Sequence, residues 1–153
     1  MPEDGAPLPA AGDGTPLHLR PFALALVFVG GTAGTLARFG LAELVPAPAG
    51  LPLGVLLINV TGAFALGVLL EALARRGADE GGRRTVRLLV GTGFLGGFTT
   101  YSALAVDAAL LAGSGRTGEG IAYLVVSVLV GLAAAAAGVV VGRRFGARPV
   151  SRE

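Results

Sequence analysis

The chain has 153 residues, of which 53% are hydrophobic and 14% are charged, about half the charged share of a typical soluble domain. Cysteine is absent and the single histidine, His18, lies in the polar N-terminal segment, which excludes thiolate metal sites, disulfides and most zinc or general-base chemistry. All 12 basic residues are arginines that flank apolar runs. This pattern favours a membrane protein over a nucleic-acid-binding protein, although the isoelectric point is 9.9.

Residues 1–20 are rich in proline, glycine and alanine and are predicted to form a disordered tail without the basic start of a signal peptide. Four apolar runs follow, at Pro21–Ala37, Leu53–Leu70, Leu88–Val106 and Ile121–Gly142. Each is close to the length that a membrane helix needs, about 20 residues. We therefore predict an all-α membrane protein with four transmembrane helices in a domain at 21–145, followed by a second tail at 146–153. A soluble helical bundle would need more polar sequence for its outer face.

Glycines recur four residues apart in three of the runs, as Gly30-xxx-Gly34, Gly93-xxx-Gly97 and Gly138-xxx-Gly142. This spacing places small residues on one helical face and allows helix backbones to approach closely. Since four spans from one chain enclose little of a pathway, we also expect a dimer.

The arginines are distributed unevenly between the two sides of the predicted membrane domain. Both termini and the second connection share one side, which carries ten arginines, whereas Arg38 and Arg116 lie on the other side. The positive-inside rule then places both termini in the cytoplasm and the chain in the cell inner or plasma membrane, in a single orientation.

The third run contains the stretch Gly91–Ser102, which holds four glycines and four threonine or serine residues. A plain anchor does not need these residues, and a helix break there would free backbone groups that must be satisfied by protein, water or an ion. Carbonyl groups in the segment Gly96–Thr100 are suitable ligands for Na⁺. The alternative is a glycine face that only packs closely against another helix.

Four other polar residues lie in or next to the apolar runs. Asn59 is suited to donate hydrogen bonds to an anion, or to join two helices. Arg38 could draw anions into a vestibule, or act as an interfacial anchor. Tyr123 and Ser127 lie four residues apart and could form a track of hydroxyl groups, or serve as an interfacial tyrosine and a packing serine.

Two other functional classes are disfavoured. The first run has no carboxylate, which argues against a proton-coupled cation exporter. Ser102 has neither a nucleophile-elbow motif nor a nearby histidine, so we do not predict an enzyme.

Four sequence elements occur in order, one in each apolar run: Gly30-Gly-Thr-Ala-Gly-Thr-Leu-Ala-Arg38-Phe, Asn59-Val-Thr-Gly62, Gly93-Phe-Leu-Gly-Gly-Phe-Thr-Thr-Tyr-Ser102 and Tyr123-x-x-x-Ser127-x-x-x-Gly131. Together they resemble the signature elements of the CrcB/Fluc family of fluoride channels over residues 21–145. The resemblance implies an antiparallel dimer with two pores, through which fluoride leaves the cytoplasm passively. It also implies a structural Na⁺ at the dimer centre, held by carbonyls of the broken third helices, here those of Gly96 and Thr99.

The resemblance further implies an anion pathway, with Asp107 at a position where the family has an acidic residue. The pathway residues would be Arg38, Asn59, Tyr101, Ser102, Leu104, Tyr123 and Ser127. The family has phenylalanines whose positive ring edges face the ion where this chain has Tyr101 and Leu104. Because leucine has no aromatic ring, we expect altered conduction through any pore that depends on Leu104.

The arginine distribution leads to a further hypothesis about the dimer. A homodimer of antiparallel subunits needs a chain that inserts in both orientations. A chain fixed in one orientation instead favours a heterodimer with an oppositely oriented four-span paralogue. The alternative function is a non-conducting structural partner in such a heterodimer.

Overall fold

The computed structural model describes residues 20–47 and 50–145, so the tails predicted at 1–20 and 146–153, apart from Arg20, lie outside the described residues. The elements are α1 (Pro21–Leu44), α2 (Leu53–Ala74), α3 (Gly81–Val86), a π-helical segment (Arg87–Leu95), α4 (Gly96–Phe98), α5 (Tyr101–Gly113) and α6 (Thr117–Gly142). Within the described ranges all regular structure is helical. The elements α3 to α5, with the π-helical segment, form the third span.

Four helical stretches are long and apolar enough to cross a membrane, which confirms the predicted number of spans. The first three spans run past the charged residues that end their apolar runs, whereas α6 ends at Gly142, directly before Arg143. Thus α1 continues beyond Arg38 to Leu44, and α2 continues beyond Glu71 to Ala74. A charged side chain ends an apolar run without breaking the hydrogen bonds of a helix; α1 stops instead where Val45 becomes extended before a proline. Arg38 therefore lies within a helix.

The first and third spans pack through glycines. A methyl group built on Gly30 would lie 2.9 Å from the Phe94 nitrogen, and one built on Gly93 would lie 3.0 Å from the Gly30 α-carbon. Methyl groups on Gly34 and Gly97 would clash with backbone oxygens of the facing helix. The backbones are therefore in direct contact, as the two Gly-xxx-Gly motifs predict.

The second and fourth spans pack in the same way. A methyl group on Gly142 would lie 2.7 Å from the Val68 oxygen, and one on Gly138 would clash with the Phe64 oxygen. Gly67 on α2 faces α6 in turn, where its added methyl group would clash with the Ala135 oxygen. These contacts give two closely packed helix pairs, with a smaller core of Leu104, Ala108, Leu111 and Tyr123 between α5 and α6.

One end of the bundle collects most of the described arginines. Arg76 donates to the Phe145 oxygen at 3.2 Å, joining the ends of α2 and α6. Arg87 binds both carboxylate oxygens of Asp79, at 2.9 and 2.7 Å, and this bond lowers the pKa of the Asp79 carboxyl below its usual range. A lowered pKa in the folded state means that the contact stabilises the fold above the usual carboxyl pKa and is lost as the pH falls through the lower value.

The bundle surface is strongly apolar. Large side chains on every span are exposed, among them Phe28 on α1, Phe64 on α2, Leu110 on α5 and Leu132 on α6. A soluble monomer rarely exposes continuous apolar surface of this kind. The surface is therefore suited to lipid or to another membrane subunit.

The glycine packing leads to a testable difference between two glycines. We expect Gly67→Ala to lower the free energy of unfolding by about 1–3 kcal/mol, because the added methyl group overpacks the contact between α2 and α6. Gly40→Ala is the matched control, since a methyl group there meets no described atom within 4 Å. Gly40→Ala should leave the free energy of unfolding unchanged or raise it by about 0.5–1 kcal/mol, because alanine has the higher helix propensity. Thermal unfolding of purified protein in detergent measures both, and equal midpoints for the two variants would contradict the packing.

Candidate functional site

The third span is interrupted at two consecutive threonines. Thr99 has φ −79° and ψ 155°, and Thr100 has φ −150° and ψ 122°, so both are extended between the helical elements α4 and α5. The Thr100 hydroxyl accepts a hydrogen bond from the Ala103 amide at 3.2 Å and so caps the start of α5. The predicted break thus lies at Thr99–Thr100, directly after the glycine pair and Phe98.

Asn59 on α2 holds the break through both halves of its side-chain amide. Its Nδ2 donates to the Thr100 oxygen at 2.9 Å, and its Oδ1 accepts from the Thr100 nitrogen at 2.7 Å. A primary amide can replace a peptide group in this way because it offers both a donor and an acceptor. One Nδ2 hydrogen is committed to Thr100, and the other is a second donor.

These bonds divert the amides that would complete a continuous helix. In an α-helix the Thr100 amide would donate to the Gly96 carbonyl and the Ala103 amide to the Thr99 carbonyl. Here the first donates to Asn59 and the second to the Thr100 hydroxyl. The two carbonyls affected are those of Gly96 and Thr99, which the family resemblance implies as Na⁺ ligands. Gly96 is also exposed, and a methyl group built on it meets no described atom within 4 Å.

A cavity of about 330 Å³ lies beside the break, and we call it the break cavity. Its lining includes several residues of the predicted sites: Asn59, Thr99, Tyr101, Leu104 and Ser127. Ser127 on α6 is 6% exposed, and its hydroxyl has no hydrogen-bond partner among the described residues. A buried hydroxyl without a partner is costly, and it is therefore a candidate ligand-binding group.

Tyr101, Leu104 and Ser102 differ in their placement although they are close in sequence. Tyr101 is 77% exposed at the rim of the break cavity, whereas Leu104 is 5% exposed in its wall. Ser102 is exposed, with its hydroxyl 3.2 Å from that of Thr100. Only Leu104 of the three is thus enclosed by its own chain.

Arg38 and Tyr123 lie away from the break cavity. Arg38 lines a separate cavity of about 280 Å³ with Thr35 and Phe39, the Arg38 cavity, which also touches Thr100. The buried Tyr123 packs in the α5–α6 core and donates its hydroxyl to the Pro52 oxygen at 3.2 Å. The structure thus brings together Asn59, Ser127, Tyr101 and Leu104, while Arg38 faces a second cavity that also contacts Thr100.

Thr100 is the residue that sequence reasoning missed. It caps α5, bonds Asn59 through both backbone groups and lines both cavities. A threonine just before an apolar helical stretch is an N-cap signal that could have identified it. Asp107, where the resemblance implies an acidic residue, has a buried Oδ2 with no hydrogen-bond partner among the described residues.

We expect Asn59→Ala to lower the free energy of unfolding by about 1–3 kcal/mol, because it leaves buried backbone groups of Thr100 unpaired. Thr61→Ala on the same helix is the control, since the exposed Thr61 hydroxyl bonds only carbonyls of its own helix. Thr61→Ala should change the free energy of unfolding by no more than about 0.5 kcal/mol. Thermal unfolding in detergent measures both variants. Equal stability of the two would show that Asn59 does not hold the break.

Comparisons with known proteins bear on this arrangement. Residues 25–139 match the family described as CrcB-like protein, Camphor Resistance (CrcB). The chain is 50% identical over 133 residues to fluoride-specific ion channel FluC 2 of Leifsonia xyli, covering 87% of this chain and 92% of the relative. It is 53% identical over 116 residues to fluoride-specific ion channel FluC 1 of Cutibacterium acnes, covering 75% and 81%. It is 42% identical over 124 residues to fluoride-specific ion channel FluC of Phenylobacterium zucineum, covering 80% and 96%. These matches confirm the predicted resemblance, and the chain belongs to the CrcB/Fluc family.

Proposed function

We propose that the chain is a subunit of a fluoride-selective channel through which fluoride leaves the cytoplasm passively, which reduces fluoride toxicity. The observation that carries this proposal is the break cavity, where the donors Asn59 and Ser127 lie beside the interrupted third span. No carboxylate is among the described residues that line it. The relatives named fluoride-specific ion channel support fluoride as the anion.

Fluoride binding in such a cavity has a clear physical requirement. The ion is small and strongly hydrated, so donors in the protein must replace the water that it loses. The Ser127 hydroxyl and the second Nδ2 hydrogen of Asn59 supply two donors. Tyr101 lies at the rim, where the edge of its ring would add a region of positive potential. Arg38 would attract anions into its own cavity, and Tyr123 would hold α6 in register with the start of α2.

The exposed polar groups of the break support a dimer. Gly96, Tyr101 and Ser102 lie on the surface at a level where lipid would otherwise surround the chain. Polar backbone facing hydrocarbon is strongly disfavoured. We propose that a second subunit, in antiparallel orientation, covers this surface and completes two pores.

We further propose that Na⁺ fixes the centre of this dimer. The carbonyls of Gly96 and Thr99 would hold it, because the amides that would bond them in a helix are diverted to Asn59 and Thr100. Carbonyl oxygens are suitable ligands for this hard cation, and the positive charge at the break would stabilise the paired spans through their carbonyl dipoles.

The identity of the second subunit follows from the arginine distribution. Ten arginines on one side and two on the other favour a single orientation with both termini in the cytoplasm. A paralogue of opposite bias would then be the partner, whereas a homodimer would require dual insertion. The alternative function, a non-conducting partner, is favoured by Leu104, which provides no ring edge in the cavity wall.

Fluoride efflux from liposomes tests the proposed function. We expect little efflux from the purified chain alone and robust efflux when it is co-purified with an oppositely biased paralogue, measured with a fluoride electrode. Chloride-loaded liposomes are the selectivity control. Robust efflux from the chain alone would contradict the heterodimer but support the channel. No efflux from any combination would contradict the channel itself.

Because the sequence has no cysteine, the orientation of the chain in the cell membrane can be measured by cysteine labelling. A single cysteine at Ser151 should react with an impermeant maleimide only after permeabilisation, whereas one at Ser114, in the connection between α5 and α6, should react in intact cells. Equal labelling of the two in intact cells would indicate dual insertion and would therefore favour a homodimer.

Leu104→Phe separates the conducting subunit from the structural partner. If the third span lines a working pore, the added ring edge, worth about 0.5–1.5 kcal/mol, should change the fluoride efflux rate of the complex about two- to tenfold. The break cavity, which Leu104 lines, offers room for the phenylalanine ring. Leu110→Phe is the matched control, because Leu110 is exposed on the same helix. An unchanged rate for Leu104→Phe would support the non-conducting alternative.

A further inference from the structure

A groove of about 240 Å³ lies between the starts of the first and third spans, away from the break. We call it the Arg84 groove. Its lining consists chiefly of Arg20, Phe22, Leu26, Arg84, Thr85 and Leu88. It brings two guanidinium-bearing side chains and three large apolar side chains to one site, although they come from distant parts of the sequence.

The described lining of this groove has two arginines and no carboxylate, although Asp79 and Glu80 directly precede its Gly81. Arg84 bonds the Asp79 backbone oxygen through Nε at 2.8 Å, and the same Nε is 3.6 Å from the Asp79 carboxylate. That carboxylate is already bound by both contacts from Arg87. The bonds of Arg84 within the described part of the chain all run through Nε, so its terminal nitrogens can bind a further acceptor.

The groove is placed at the boundary of the membrane-spanning region. Pro21 and Gly81 are the first residues of two of the four candidate spans. Arg20 precedes the first span, and Arg84 lies four residues before the apolar run that begins at Leu88, so we infer that both arginines lie at headgroup level and that Phe22, Leu26 and Leu88 extend the lining towards the acyl level. Phe22 is 68% exposed. A small soluble anion would not need this apolar surface, but the first carbons of an acyl chain would cover it.

We propose that the Arg84 groove binds one anionic glycerophospholipid, with the phosphate at Arg20 and Arg84 and an acyl chain along Phe22, Leu26 and Leu88. Arginine binds phosphate oxygens in a bidentate geometry, which favours this headgroup. The surplus of arginines would repel the ammonium group of a zwitterionic lipid such as phosphatidylcholine. The bound lipid joins the start of α1 to the start of the third span.

Native mass spectrometry of the full chain in detergent tests this site. With equal amounts of dioleoylphosphatidylglycerol and dioleoylphosphatidylcholine, the wild type should retain one phosphatidylglycerol molecule severalfold more often than phosphatidylcholine. Arg84→Gln should remove most of this preference. Arg144→Gln is the matched control, since Arg144 is an exposed arginine next to the end of α6 and outside the groove. It should retain the preference.

Two further measurements distinguish a bound lipid from a bound free anion. Glycerol phosphate and inorganic phosphate, added alone, should give no retained adduct, since neither covers the apolar lining. Leu26→Ala should weaken lipid retention while leaving the charge unchanged. Circular dichroism and the thermal midpoint check that Arg84→Gln is folded, and Arg84→Lys replaces it if it is not. Equal loss in Arg84→Gln and Arg144→Gln, no preference in the wild type, or retention of free phosphate would overturn the proposal.

Discussion

The two hydrogen bonds between the Asn59 side chain and the Thr100 backbone are the interaction on which the remaining site depends. A helix interrupted inside a membrane leaves peptide groups without partners, and each such group costs several kcal/mol in hydrocarbon. An asparagine on the neighbouring span has both a donor and an acceptor at the right separation, so it satisfies both backbone groups of one residue. The break can then be permanent, and the Ser127 hydroxyl beside it has no hydrogen-bond partner among the described residues.

The geometry of these two hydrogen bonds depends on how firmly the helices are packed. Asn59 lies on α2 and Ser127 lies on α6. These two helices pack against each other through Gly67, Gly138 and Gly142. The third span carries Thr100 and lies against α1 with backbone in direct contact. Backbone contacts leave little freedom to slide, because any added or displaced atom meets a carbonyl oxygen rather than a flexible side chain. The glycines thus fix the two donors and the break within one cavity.

Much of this arrangement was predictable from the sequence, and the reasons for the remainder are physical. Hydropathy gave the four spans, and glycine with threonine at Gly91–Ser102 indicated the break. The extent of α1 beyond Arg38 was missed because charge ends an apolar run and not a helix. The sequence is compatible with Asn59 either as an anion donor or as a bond between two helices, and in the structure its partner is a backbone group 41 positions away. No pattern in the local sequence predicts a contact between residues so far apart. For the same reason the sequence does not predict that Arg38 lies in a cavity separate from the break cavity.

The glycine motifs also constrain how a second subunit could bind. In membranes such motifs commonly join separate chains, but here all three face helices of the same chain, and their glycines are buried except for the half-buried Gly97. Around the break itself, the exposed groups of the described third span include those of Gly96, Tyr101 and Ser102. A partner that approached any other face would leave these groups against lipid. A subunit bound over Gly96, Tyr101 and Ser102 would therefore have two effects. It would shield polar backbone from lipid, and it would complete the wall of the break cavity beside Tyr101.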